Sequence, residues 1–141
     1  MPTPPNLQRF LDAQQRDYPT ALAEMRAGRK RSHWMWYIFP QLQGLGFSST
    51  AQHYAIRDAA EAQAYLRQPV LGARLVEISN VLLTLPGSNA TSLMGSPDDL
   101  KLRSSMTLFA QVPAANPVFR AVLDKFFGGE PDEKTLRLLE E

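Results

Sequence analysis

The sequence predicts an all-α fold: a single domain over residues 1–141 with roughly seven to nine helices, several of them short. Three observations carry this. Almost every segment opens with a helix-start residue, either a Ser, Asp or Asn cap or a proline in the first turn. Apolar residues recur at three- and four-residue steps, whereas alternating runs and clusters of Val, Ile and Thr are few. No repeat and no internal linker interrupts the chain, and residues 1–5, rich in proline, read as a loose N-terminal lead.

In chain order, Asn6 is positioned to cap a helix carrying Leu7, Phe10, Leu11 and Ala13. Pro19 interrupts it and suits the first turn of a second helix, from Pro19 to Ala27, which stops at Gly28. Ser32 is the expected cap of a short helix from His33 to Phe39. On it Trp34, Tyr37 and Ile38 share one face, while His33, Trp36 and Pro40 lie on another. Pro40 ends that helix, and residues 41–47 read as an irregular loop with two glycines. Ser48, Ser49 or Thr50 caps the next short helix, on which Ala51, Tyr54 and Ala55 are spaced to pack.

Asp58 and Glu61 form a capping-box pattern opening a helix with Ala62, Tyr65 and Leu66. Pro69 starts the segment that reads best as a core helix, with Val70, Leu71, Leu75, Ile78, Leu82 and Leu85 recurring on one stripe. Gly72 within it is either a local weakness or a point of close helix approach. Pro86-Gly87 ends it, and Asn89 to Met94 is a turn or short helix. Ser96-Pro97-Asp98-Asp99 supplies a cap, a first-turn proline and two carboxylates at the positive end of a helix carrying Leu102, Met106 and Phe109. Asn116-Pro117 opens another, closed by Gly128-Gly129, and Asp132 caps the last.

Composition narrows the function classes. A hydrophobic share of 44% with a net charge of +1 is globular, and its bulk electrostatics favours neither nucleic acid nor an anionic membrane, so any such binding must come from a local patch. The absence of cysteine excludes disulfides, thiolate catalysis and cysteine-ligated metals. No signal-peptide pattern and no window of about 20 apolar residues is present, which points to a cytoplasmic location.

The densest stretch is 28–41, which gathers a basic run, His33, both tryptophans, Tyr37 and Phe39. Arg29 and Arg31 beside a helix C-terminus are explained by the macrodipole, although they can also meet phosphates. Lys30, adjacent to Ser32 and His33, is the residue of the run best suited to a ligand. His33 is a candidate general acid or base because its ordinary pKa lies near neutrality, against the alternative of a hydrogen-bonded histidine at a helix start. Trp36, on the face away from Trp34, can stack on a ring, and Gln41 follows the helix stop. Lys101 and Ser105, four residues apart, share one side of the later helix, with Ser104 able either to line a pocket or to bond back to the preceding turn. His53 beside Tyr54 reads as structural or exposed. No phosphate loop, dinucleotide fingerprint or metal-ligand set occurs.

Several of these pieces together carry a family resemblance: Gly28 through Trp36, Phe39-Pro40-Gln41, Gly44-Leu45-Gly46, Tyr65-Leu66, Pro69-Val70-Leu71-Gly72, and Lys101 through Phe109. Through nearly its whole length the chain resembles the bacterial family labelled domain of unknown function 1810. The resemblance implies a mainly helical fold and no established activity. Some members carry the label calpastatin, although calpastatin inhibitors are disordered and this chain has a globular composition. Where the family pattern suggests a histidine-proline pair before Val70, this chain has Gln68-Pro69, which removes a histidine from that position. A looser similarity, through a basic or aromatic segment, Gln52-His53-Tyr54, and Gln68-Pro69-Val70-Leu71 leading into a long helix, is to domains proposed to process NAD or ADP-ribose derivatives.

These readings converge on binding of a small anionic, nucleotide-like ligand by Lys30, Trp36, Gln41 and Lys101, with His33 as catalytic residue if chemistry occurs. No cofactor and no metal are expected. Two alternatives stand beside it: an RNA- or protein-binding adaptor using segment 28–41, and a hydrolase acting on an ADP-ribose or NAD derivative.

Overall fold

The computed structural model describes residues 7–140. Among them are nine helices: α1 (Gln8–Arg26), α2 (Met35–Ile38), α3 (Ser49–His53), α4 (Ala59–Arg67), α5 (Pro69–Thr84), α6 (Ala90–Met94), α7 (Asp98–Ala110), α8 (Val118–Phe127) and α9 (Glu133–Glu140). The β-type pairing found among the described residues is one parallel bridge, Leu42 with Ile56. The all-α expectation is met, and no described helix is long and apolar enough to cross a membrane. The proposed Asn6 cap and the lead over residues 1–5 lie outside the described residues.

The first difference from expectation is α1, which runs unbroken through Pro19. An interior proline removes one amide donor and crowds the carbonyl four residues back, at a cost of about 3 kcal/mol. Packing outweighs it here. Phe10, Ala13, Gln14, Tyr18, Ala21 and Met25 form one buried stripe across the proline, while Pro19 itself faces solvent. That stripe lies against α5 and α2. Gln14 at its centre donates to the Tyr37 carbonyl at 2.7 Å and the Tyr65 hydroxyl at 2.9 Å, so the buried amide is satisfied.

The α4–α5 corner is sharp because Gln68 ends one helix and caps the next, its Oε1 accepting from the amides of Val70 at 2.7 Å and Leu71 at 2.8 Å. Gly72 is the point of close approach: a Cβ there would stand 2.1 Å from the Leu66 carbonyl oxygen. Leu71, Leu75, Ile78 and Leu82 are buried as the stripe predicts, but Val70 is 41% exposed and Leu85 caps the end half-buried. Lys125 of α8 donates to the Leu83 and Leu85 carbonyls and so satisfies that end of α5.

Helix α7 is enclosed over its second half, with every residue from Ser104 to Phe109 buried. It packs against α4, α6, α8 and α9, which leaves little of its circumference to solvent. Its expected Ser96 cap does not form: Pro97 occupies the N-cap position, and the Asp99 carboxylate bonds to the Leu100 amide at 2.9 Å and the Thr91 hydroxyl at 2.6 Å. Asp132 does cap α9, accepting from the Thr135 amide at 3.2 Å. Asp58 accepts from the Glu61 amide at 2.9 Å, as a capping box requires. Glu61, though, reaches back one residue further than the motif expects, to the Arg57 amide at 3.0 Å, and is buried against Arg9 at 3.0 Å.

Candidate functional site

The 28–41 stretch is held from below by one carboxylate. Glu24, in the last turns of α1, accepts from the Arg31 amide at 2.7 Å, the Ser32 amide at 2.9 Å and the Trp34 indole at 2.9 Å with Oε1, and from the Ser32 hydroxyl at 2.5 Å with Oε2. Burial alone would raise the Glu24 pKa, but the bonds from Ser32, Arg31 and Trp34 outweigh it and hold the carboxyl at about 2. Ser32 is therefore committed to Glu24 and does not cap α2. The helix consequently starts two residues later than expected, at Met35, with Trp34 at the N-cap position.

Trp34, Tyr37 and Ile38 are buried as expected, together with Met35 and Phe39. Tyr37 donates to Asp17, and burial followed by that bond pushes its hydroxyl up to about 12. Trp36 is half-buried, which matches its place on the opposite face. It lines a cleft of about 10 Å³ with Gln41 and Tyr54, room for a single water. Gln41 also accepts from the Ile56 amide at 2.8 Å through its main chain.

Two of the expected ligand residues meet at a carboxylate that sequence reasoning took for a helix-start charge. Asp98 pairs with the Lys30 ammonium at 2.9 Å through Oδ2 and with Lys101 at 3.5 Å through Oδ1. The Lys30 side chain is only 7% exposed, lies 5.1 Å from the Trp34 ring centroid and donates to the Ser32 carbonyl at 2.6 Å. Its main-chain amide bonds to the Leu93 carbonyl at 2.8 Å. Lys30 is thus a buried tie between the 28–34 segment and the α6–α7 junction. Lys101 is more open, and its ammonium stands 5.4 Å from the Trp36 ring centroid.

His33 is not drawn into this group. Its ring is exposed, with no hydrogen bond or ion pair among the described residues, while its carbonyl accepts from Tyr37 at 3.2 Å. His53 is likewise exposed and stacked edge-on against Tyr54 at 4.6 Å. Arg26, Arg29 and Arg31 are exposed and make no ion pair among the described residues. Ser104 stands 3.1 Å from the Leu100 carbonyl and 3.0 Å from Asp132, so its single proton is shared between structural partners. Ser105 is buried, and its hydroxyl has no hydrogen-bond partner among the described residues. No group of three or more His, Asp or Glu among the described residues is arranged to hold a metal ion.

Lys30, Trp36 and Lys101 are therefore brought together around Asp98, Gln41 adjoins Trp36, and His33 stands apart. Glu24 and Asp98, the two carboxylates that organise the stretch, were missed as a pair. The available signal was their chemistry: acidic residues in elements flanking a basic, indole-rich run are the expected partners of its donors.

A crystal structure at 1.38 Å of the conserved hypothetical protein Rv1873 from Mycobacterium tuberculosis is similar to this chain, with 48% identity, 99% of each chain covered and a TM-score of 0.95. No curated protein matches. The model of a protein family of unknown function, DUF1810, matches residues 4–139, and the chain belongs to that family.

Proposed function

We propose that the chain binds a small anionic, nucleotide-like ligand at the Lys101–Trp36 edge. The observation that carries this is the unequal division of Asp98. Its closer oxygen is given to the buried Lys30, so Lys101, at 3.5 Å, is the less neutralised of the two ammonium groups. Two lysines against one carboxylate leave one unit of positive charge beside a half-exposed indole. A planar ring can stack on Trp36 while its anionic group meets Lys101. Gln41, which lines the narrow slot beside Trp36, braces the indole or offers an amide to the ligand edge. Lys30 acts by fixing Asp98.

Tryptophan fluorescence tests this directly. Trp34 is enclosed, with its indole N–H bonded to Glu24, so ligand-dependent quenching reports Trp36. AMP or ADP-ribose is expected to quench saturably, and Lys101→Ala to weaken binding by about tenfold, the worth of one charge-assisted hydrogen bond. Adenosine, lacking the anion, should bind the wild type and Lys101→Ala alike. Equal affinity of AMP for the wild type and Lys101→Ala would remove the proposal. The hydrolase version would use His33 as acid or base; its readout is turnover of ADP-ribose derivatives lost in His33→Ala with binding retained.

A specific observation favours the adaptor as the second reading: Arg26, Arg29 and Arg31 are exposed around Gly28 and make no ion pair among the described residues. Such a patch would bind an oligonucleotide with steep salt dependence, and the slope would fall by about one unit per arginine removed.

A further inference from the structure

A separate cavity of about 630 Å³ lies between the α4–α5 corner and the 111–116 turn that follows α7. Its size falls within the range that holds small organic ligands. One side is fixed by Gly72, whose missing Cβ lets α5 press on the Leu66 carbonyl. The other is the turn itself, where Ala114 sits at φ +60 and is the one non-glycine residue with positive φ among the described residues. That turn is held by the Val112 and Ala115 amides bonding to Phe109 and Val112, and by Asn116 accepting from the Val118 amide at 2.9 Å. The cavity is therefore preformed, with apolar walls from Leu66, Val76, Val112 and Phe119.

Its polar lining is unusual in carrying both signs of charge unpaired. The Arg67 side chain, at the end of α4, makes no hydrogen bond or ion pair among the described residues. Glu77, on α5, lines the same cavity and makes no ion pair there either; its Oε1 accepts the Tyr18 hydroxyl, which leaves Oε2 open. The two do not meet each other. Asn116 accepts the Val118 amide with Oδ1, so its own amide N–H groups remain as donors in the same lining as Arg67. We infer that this cavity is a binding site for a zwitterion with a bulky apolar body, an aromatic α-amino acid or its close analogue. Arg67 and the Asn116 amide take the carboxylate, Glu77 takes the ammonium, and the Leu66, Val76, Val112 and Phe119 walls take the ring.

Calorimetric titration of the full chain with three probes sharing one indole body tests each contact. L-tryptophan carries both charges, tryptamine lacks the carboxylate, and indole-3-propionate lacks the ammonium. L-tryptophan is expected to bind saturably and at least about tenfold more tightly than either analogue. In Arg67→Gln it should fall to the level of tryptamine, and in Glu77→Gln to the level of indole-3-propionate. Both changes are at exposed positions, and glutamine can still accept from Tyr18; thermal melts verify that the variants fold. Should Glu77→Gln melt early, Arg67→Gln alone decides. No saturable binding of L-tryptophan, analogues that bind as tightly as it does, or an affinity unchanged in Arg67→Gln would each overturn the inference. AMP, directed at Trp36, should not compete; displacement of L-tryptophan by AMP would overturn the assignment to a separate site.

Discussion

Glu24 gathers four donors, main-chain and side-chain, from the three residues Arg31, Ser32 and Trp34, and two of these, Ser32 and Trp34, would otherwise be half-buried or buried without an acceptor. Its ionised form is what those donors need. The carboxyl titrates near 4.5 when free and at about 2 in the folded chain, so the sign is that of a lowered acid. The stability it contributes is complete above about pH 4.5 and is lost as pH falls toward 2. Discounted for its partial exposure, that contribution is about 1–2 kcal/mol. Glu24→Gln is therefore expected to unfold at lower urea than the wild type at pH 7, with the gap narrowing at pH 3. A gap that is constant across that range would show that charge is not what the donors require. Ser105 is a different case at the same scale. Its hydroxyl is buried on α7 with no hydrogen-bond partner among the described residues, so Ser105→Ala should be neutral to stabilising in the same urea assay, whereas Ser104→Ala, which removes a donor to Asp132, should destabilise by about 1 kcal/mol.

Among the elements, helix existence was legible and helix boundaries were less so, for reasons visible in particular residues. Caps at Ser48, Asp58, Asn89 and Asp132 act as their chemistry predicts, because a short side chain reaching an amide three residues on is a local event. Pro19 misleads because its cost is local while the compensation, a stripe from Phe10 to Met25 lying on α5 and α2, is tertiary. Ser32 misleads for the same reason: Glu24, eight residues back, competes for its hydroxyl and wins. Gly72 carries the cleanest test at this scale. Glycine to alanine inside a helix ordinarily stabilises by up to about 1 kcal/mol. Here the added Cβ would stand 2.1 Å from the Leu66 backbone oxygen, so Gly72→Ala should reverse that sign and lower the urea midpoint, through opening of the α4–α5 corner. A midpoint raised by the substitution would mean that the corner relaxes freely and that close approach is not what the glycine serves.

Across the whole molecule, a buried ammonium ties the segment that follows α1 to α7. Lys30 bonds to Leu93 through its main chain and to Ser32 and Asp98 through its side chain, so it joins the segment following α1 to both α6 and α7. That role was readable only in part. The sequence singles out Lys30 by its indole-rich neighbourhood, but its partner lies 68 positions further on, and a tertiary pair of that span leaves no periodic or local signature. An ion pair so enclosed stabilises little relative to an apolar pair of the same shape, yet removing one partner strands the other, at about 3–5 kcal/mol. Lys30→Met and Asp98→Asn alone should therefore not behave alike. Lys30→Met leaves Asp98 its second cation, Lys101, at 3.5 Å, whereas Asp98→Asn leaves two ammonium groups facing a neutral amide, one of them enclosed. The larger loss in equilibrium urea unfolding is expected for Asp98→Asn. The double variant should recover most of it, because neutralising Lys30 removes the stranded charge. Losses that simply add in the double variant would mean that the two residues stabilise separate parts of the fold and that the buried tie between segment 28–34 and α7 lies elsewhere.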